Sequence, residues 1–389
     1  MLWRRPLPRF IASVHFTIRT PNMATDDLNT TVAAAPAASS TTTALPIRTV
    51  ETTTPSDGPA PFDIVQTYRD LLATDPEITM PVAAIESLIE LLRASPASTA
   101  METVEVVKKE KAKLLASAPN PLPLLAGADL FEQYLLRSLR GQTATSAVDP
   151  VLGFDETRQH LLNNRQLFAR RAKAARDNIA VRGAEYIHDG HVVLTGGGSR
   201  IVTKILLKAA ADRTKRFDVI YVMDGSARSA ATVASLRHDD IEVETIKPQT
   251  VSHVLGNNKR INVVLVGTEV VTQNGGIISR MGTAQLAFLA KHVPGSQKRF
   301  LVAAETHKIV RKTPLVYPLV NGVGVRQRDP RKFASVHTGA GKPNDDKQQI
   351  MLAEEDEVDY TDPELIDGFI TEQGVKMPSQ IWEMVDDYI

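Results

Sequence analysis

The stretch His191-Val192-Val193-Leu194-Thr195-Gly196-Gly197-Gly198-Ser199-Arg200-Ile201 decides the reading of the fold. His191 to Thr195 is a continuous, β-branched run, the pattern of a strand buried on both faces. Three glycines then allow a tight turn, and Ile201, Ile205, Leu206 and Ala210 return at helical spacing. The same rhythm repeats downstream. Phe217–Met223 predicts a strand, Asp224–Gly225 a turn and Ala227–Leu236 a helix. Ile241–Ile246, Ile261–Val266 and Phe300–Ala303 predict three more strands, with a helix over Thr283–His292 between the last two. Continuous apolar strands alternating with helices imply a mainly parallel sheet covered on both faces, a Rossmann-like doubly wound α/β domain. Ligands of such sheets sit beyond the carboxyl ends of the strands, where Gly196–Gly198, Asp224–Gly225 and Gly267 all fall.

Upstream the period is helical. Phe62, Val65, Tyr68 and Leu72 recur at three and four residues, and Thr79 with Pro81 announces a helix carrying Val82, Ile85, Leu88, Ile89 and Leu92. Thr99 and Glu102 have capping-box spacing ahead of Val106, Val107, Leu114 and Leu115. Leu130, Phe131, Tyr134, Leu135 and Leu139 continue the pattern after Gly127. A long helix is expected from about Asp155 to Arg182, with Arg165, Arg170, Arg171, Lys173 and Arg176 on its outer face, able to dock an acidic or phosphorylated partner. The expected organisation is therefore a leader over residues 1–60, a helical domain over 61–185 and an α/β domain over 186–389. Within the last, about 321–357 reads as a polar surface loop, after which Val358, Tyr360, Phe369, Ile370, Ile381 and Trp382 bring the chain back into the fold.

The leader lacks the apolar surface to offset ordering entropy and is expected to be disordered. Residues 1–22 bear Arg4, Arg5, Arg9 and Arg19 without an acid, as a mitochondrial presequence would; translation from Met23 is the alternative.

Composition removes other classes. Lys+Arg and Asp+Glu each number 45 in 389 residues, so no global field draws nucleic acid or an anionic membrane. No apolar run reaches the roughly 18 residues of a membrane span. There is no cysteine, which excludes disulfides, thiolate metal sites and cysteine nucleophiles. The histidines show no metal-ligand spacing, and no G-x-S-x-G elbow is present. No metal and no cofactor are expected.

The chemistry that remains is anion binding. Gly196-Gly197-Gly198-Ser199-Arg200 ends a strand and opens a helix, so backbone N–H groups, the helix dipole and Arg200 can hold a phosphate; a bare turn is the alternative. Arg280 ahead of Gly282 and Thr283 marks a second anion-receiving helix start. Glu269, after Gly267 and Thr268 at a strand tip, has the position of a general base or of a hydrogen-bond anchor.

The run Val266-Gly267-Thr268-Glu269-Val270-Val271-Thr272-Gln273-Asn274-Gly275-Gly276-Ile277-Ile278-Ser279-Arg280-Met281-Gly282-Thr283 resembles the signature of the eukaryotic translation initiation factor 2B subunits, in its alpha form. Val193-Leu194-Thr195 leading to Ser199-Arg200, Val302-Ala303-Ala304-Glu305-Thr306 ahead of Lys308, and Val358-Asp359-Tyr360-Thr361 agree in order and spacing, so the resemblance spans Phe62 to Ile389. It implies a non-catalytic, cytosolic regulatory subunit of the guanine-nucleotide exchange complex for initiation factor 2. It further implies a homodimer built through the α/β bodies that joins two sets of beta, gamma, delta and epsilon subunits, with exchange residing in epsilon. The helical domain, with delta, would sense initiation factor 2 phosphorylated on its alpha subunit. The wider family includes isomerases of methylthioribose phosphate and ribose bisphosphate, which place a cysteine and an aspartate where this chain has Gly197 and Glu269. The acid–base pair is thus absent, and no catalytic residue is assigned. Thr195, Gly196, Gly197, Gly198, Ser199, Arg200, Gly267, Thr268, Glu269, Asn274, Gly275, Arg280, Gly282 and Thr283 stay as candidates to bind a sugar phosphate or nucleotide monophosphate. The alternatives are an aldose–ketose isomerase working through Glu269 with another partner, or a free-standing sugar-phosphate sensor.

Overall fold

The computed structural model describes residues 62–97, 99–143, 158–159, 162–163, 165–257, 260–295, 298–311, 325 and 357–387. The leader over 1–60 and nearly all of the loop over 321–357 lie outside the described residues. Ala60–Ile389 forms one compact unit.

The amino-terminal part is helical: α1 (Ile64–Thr74), α2 (Met80–Ala94), α3 (Ala100–Ser117), α4 (Leu122–Thr143) and α5 (Arg165–Ala184). Thr99 caps α3 by accepting the Glu102 N–H at 3.2 Å, as the spacing predicts. Thr79 opens α2 without capping it. The apolar stripes of α1–α4 meet around Ile85, Leu88, Leu114, Phe131 and Leu135. Gly127 lets α4 lie directly on α2, since a Cβ there would stand 2.1 Å from the Pro81 carbonyl oxygen.

Helix α5 serves both parts of the molecule. Ala172 belongs to the helical core, while Ile179, Ala180 and Ala184 pack on the sheet. Arg176 departs from the expected basic outer face. It shares the 172, 175, 176, 179 stripe, is 4% exposed and pairs with Glu77 at 3.0 Å, whereas Arg170, Arg171 and Lys173 are exposed. At 3.6 residues per turn, Arg176 has to face the same way as Ala172 and Ile179.

Ten strands follow: β1 (Val192–Gly196), β2 (Asp218–Val222), β3 (Glu242–Ile246), β4 (Ile261–Gly267), β5 (Val270–Val271), β6 (Ile277–Arg280), β7 (Arg299–Ala303), β8 (Val358–Thr361), β9 (Gly368–Thr371) and β10 (Gly374–Lys376) among the described residues. Interleaved are α6 (Arg200–Ala210), α7 (Ala227–His238), α8 (Val251–Asn257), α9 (Thr283–His292) and α10 (Ile381–Asp387). Seven strands form one sheet in the order β10-β9-β7-β4-β1-β2-β3, parallel except for the β9–β10 hairpin at its edge. With the ribbon strands set aside, the six parallel strands follow the 3-2-1-4-5-6 order of the doubly wound fold, and β10 adds an antiparallel seventh at the edge. Leu194, Val264 and Phe300 pack under α8–α10 on one face; Val193, Leu265 and Leu301 pack under α5–α7 on the other. Burial on both faces is why these strands read as unbroken apolar runs.

An element that sequence periodicity does not reveal is the antiparallel ribbon β5-β6-β8. It packs Val270, Ile278, Val358 and Tyr360 against Leu122 and Ala126 of α4. β5 is only two residues long and β8 arrives from far along the chain, so no local period announces their pairing.

Candidate functional site

The winding reverses at β1: β2 and β3 lie to one side of it, and β4, β7 and β9 to the other. A doubly wound sheet opens a crevice beyond the carboxyl ends of its strands at such a switch point. Here a cavity of about 690 Å³ fills it. Gly196–Arg200 after β1, Gly267–Glu269 after β4 and Arg280 of β6 form the sheet side, and Tyr68, Thr79 and Asn120 the helical side.

The glycine turn is shaped by necessity. Gly197 and Gly198 have φ of +74° and +62°, a backbone that side chains strain. The Gly198 N–H donates to the Tyr221 hydroxyl at 2.8 Å, and Ser199 opens α6 with no side chain capping it. A Cβ on Gly267 would lie 2.0 Å from Ser199 Oγ, so the β1 and β4 ends approach this closely only through glycine.

The charged candidates are already engaged. Glu269 receives Arg280 Nε at 3.2 Å on one carboxylate oxygen and Asn120 Nδ2 at 3.0 Å on the other. Arg200 donates to the carbonyl oxygens of Pro76 and, at 3.2 Å, Ile78, which ties α6 to the helical layer. Burial and then the neighbouring Arg176 guanidinium lower the Arg200 pKa. Thr268 places its hydroxyl 2.7 Å from the Val270 carbonyl oxygen.

Ten of the fourteen sequence candidates, Gly196–Arg200, Gly267–Glu269, Arg280 and Thr283, line the cavity; Thr195, Asn274, Gly275 and Gly282 do not. Thr195 is buried with its hydroxyl unpartnered. Asn274 Nδ2 donates to the Tyr360 hydroxyl at 2.9 Å, and Gly275 packs on the Pro378 carbonyl, so both residues serve the ribbon turn. The expected second anion-receiving helix start is filled from within. Asp359 Oδ2 accepts the N–H groups of Gly282 at 2.7 Å and Ala284 at 3.0 Å. Burial pushes the Asp359 carboxyl up to about 7 against those bonds.

Sequence reasoning missed Tyr68, Arg176, Arg228, Glu305 and Lys308, all of which line the cavity. Glu305 and Lys308 follow β7, and Arg228 follows β2, so the strand-end rule held a usable signal for these three. Arg176 and Tyr68 arrive from helices that only tertiary packing brings here. Glu305 is 1% exposed; burial favours its neutral form, yet Lys308, 2.8 Å away, holds it down at about 2. The same Lys308 donates to the Thr268 carbonyl oxygen at 3.0 Å. Beside them His307, 3% exposed, is pushed by burial down to about 4 and lies 3.1 Å from Thr79 Oγ1. At neutral pH it is an uncharged hydrogen-bond partner. No cluster able to hold a metal ion occurs among the described residues.

The architecture and sequence have known counterparts. The chain is 28% identical over 325 residues to the translation initiation factor eIF2B subunit alpha of Dictyostelium discoideum, covering 82% of this chain and 95% of that protein. It is also 27% identical over 238 residues to the ribose 1,5-bisphosphate isomerase of Methanocaldococcus jannaschii, covering 61% of this chain and 71% of that enzyme. The crystal structure of the tetrameric eIF2B-beta2-delta2 complex from C. thermophilum superposes with a TM-score of 0.58 at 18% identity, covering 84% of this chain and 93% of that one, and shares the fold. The family model described as the Initiation factor 2 subunit family, IF-2B, matches residues 73–378, and the chain belongs to that family.

Proposed function

We propose that the chain is a non-catalytic regulatory subunit of the guanine-nucleotide exchange factor for translation initiation factor 2, acting in the cytosol. It forms a homodimer that bridges two sets of beta, gamma, delta and epsilon subunits. Its helical layer takes part in sensing initiation factor 2 phosphorylated on the alpha subunit. Its cavity binds a sugar phosphate or nucleotide monophosphate without converting it. Relatives named as eIF2B alpha, beta and delta subunits support the assembly role.

The observation that carries the non-catalytic reading is the state of Glu269. An aldose–ketose conversion needs an acid–base pair, one group to take a proton and a second to return it. Glu269 instead holds Arg280 at 3.2 Å and Asn120 at 3.0 Å, and across the turn stands Gly197, with no side chain at all.

Light scattering on the purified chain, alone and mixed with a beta–gamma–delta–epsilon subcomplex, tests the assembly role. The expected result is a dimer that doubles the subcomplex into one larger particle. A chain that leaves the subcomplex mass unchanged refutes it. Turnover of ribose 1,5-bisphosphate by the purified chain would refute the non-catalytic reading independently.

A further inference from the structure

The seven-stranded sheet ends in two edges of different character. β10 is only three residues long, and Pro378 follows soon after it. β3 is five residues long and pairs with β2 alone. The Met223 N–H donates to the Ile246 carbonyl oxygen at 2.9 Å, so Ile246 turns its backbone groups toward β2. Alternation along the strand gives Glu242 and Glu244 the same direction and turns the N–H and C=O groups of Val243 and Thr245 outward. Such a row is a template for another strand.

The template fits a second copy of itself. Around a twofold axis β3 would lie antiparallel to the β3 of the copy, with Val243 and Thr245 exchanging hydrogen bonds across the seam. In that register Glu244 falls on the axis and faces the Glu244 of the copy, in a pair without hydrogen bonds whose Cα atoms approach to about 4.5 Å. Like charges set directly opposite disfavour the pairing. Centring the seam on Val243 instead sets Glu242 against Glu244. Both acids are exposed, Arg260 close by is engaged with Asp218 at 3.0 Å, and Lys247 comes only after the strand's end. A second obstacle comes from the last turn of α7. Arg237 Nη2 donates to the outward carbonyl oxygen of Val243 at 2.8 Å, the acceptor that the Thr245 N–H of a copy would need.

We propose that Arg237 and Glu244 keep the β3 edge single, Arg237 by occupying the outward acceptor and Glu244 by repelling its own image, so that a second chain does not extend the sheet. The first acts on geometry and the second on charge. With both removed, β3 joins β3 in one sheet continuous across two chains. A chain that assembles through other surfaces needs such a guard, because an added open edge turns a closed assembly into an open string of sheets.

Light scattering on the full chain over about a hundredfold range of concentration tests it. At the upper end the double variant Arg237→Ala, Glu244→Thr should reach at least twice the parent's mass. Adding Thr245→Pro should return it to the parent's mass, because proline there removes an outward N–H and no bond to β2. In the parent, Thr245→Pro should change nothing. The three side chains are exposed, and far-UV circular dichroism of each variant should match the parent. Glu244→Thr alone leaves the Arg237 bond in place and should associate about tenfold more weakly than the double variant. If the double variant does not fold, the mass of this single variant decides in its place. A folded double variant with the parent's mass overturns the proposal. So does association that survives Thr245→Pro, which would lie elsewhere on the surface, and so does a fall in the parent's mass on Thr245→Pro, which would mean that the edge is already paired.

Discussion

His307 joins the two layers of the molecule at a single hydrogen bond, 3.1 Å from the Thr79 hydroxyl on α2. Its burial has a thermodynamic consequence. The folded chain refuses a proton on His307 until about pH 4, while the unfolded chain takes one up near the ordinary 6.5. The unfolded state therefore binds more protons between those limits, so stability rises with pH across them. The contribution is complete above pH 6.5 and is lost as pH falls toward 4. Urea unfolding should show a loss of roughly 2–3 kcal/mol from this group between about pH 6.5 and pH 4.5. His307→Gln, which keeps a neutral hydrogen-bonding side chain, should remove that contribution and leave the opposite slope of Asp359, whose carboxyl, raised to about 7, adds stability as pH falls through that range. A slope unchanged by the substitution would mean that His307 titrates normally in the folded chain. Glu305 acts in the same direction at lower pH, because a carboxyl held near 2 loses its contribution only as the medium becomes more acid than an ordinary glutamate.

At the scale of elements, the contact between α2 and α4 shows how a single glycine sets a helix crossing. A glycine in mid-helix costs up to about 1 kcal/mol against alanine, so propensity alone favours Gly127→Ala. The new Cβ, however, would stand 2.1 Å from a backbone oxygen that cannot move without displacing α2. The steric term is the larger, and Gly127→Ala should lower stability by about 2–3 kcal/mol in chemical denaturation. A neutral or stabilised variant would show that the two helices sit farther apart. The ribbon β5-β6-β8 makes the complementary point. Arg280 is presented to Glu269 from β6, and β6 is held by pairing with β8, so the tail strand fixes a cavity wall that lies far from it in sequence. Asp359 on β8 fills the α9 start in the same stroke.

Over the whole molecule, the helical and α/β parts are joined through polar contacts that converge on the cavity: Thr79 with His307, Asn120 with Glu269, and Arg200 with Ile78. Helix α5 adds apolar contact to both. Parts joined this way within one compact unit should unfold together. Scanning calorimetry is expected to give one transition for residues 60–389, and two resolved transitions would show that the helical layer is independent. Sequence by itself determined the doubly wound α/β class, the strand ends at Gly196 and Gly267 and the helix over Thr283–His292. These follow from local period, glycine geometry and residue chemistry, which the chain carries wherever it folds. Only the tertiary structure decided that Arg176 turns inward, that Asp359 fills one helix start while the other stays open, and that Arg280 is neutralised by Glu269. Pairing between residues distant in sequence leaves no period to read; the charges available to a ligand are those that remain after such pairing.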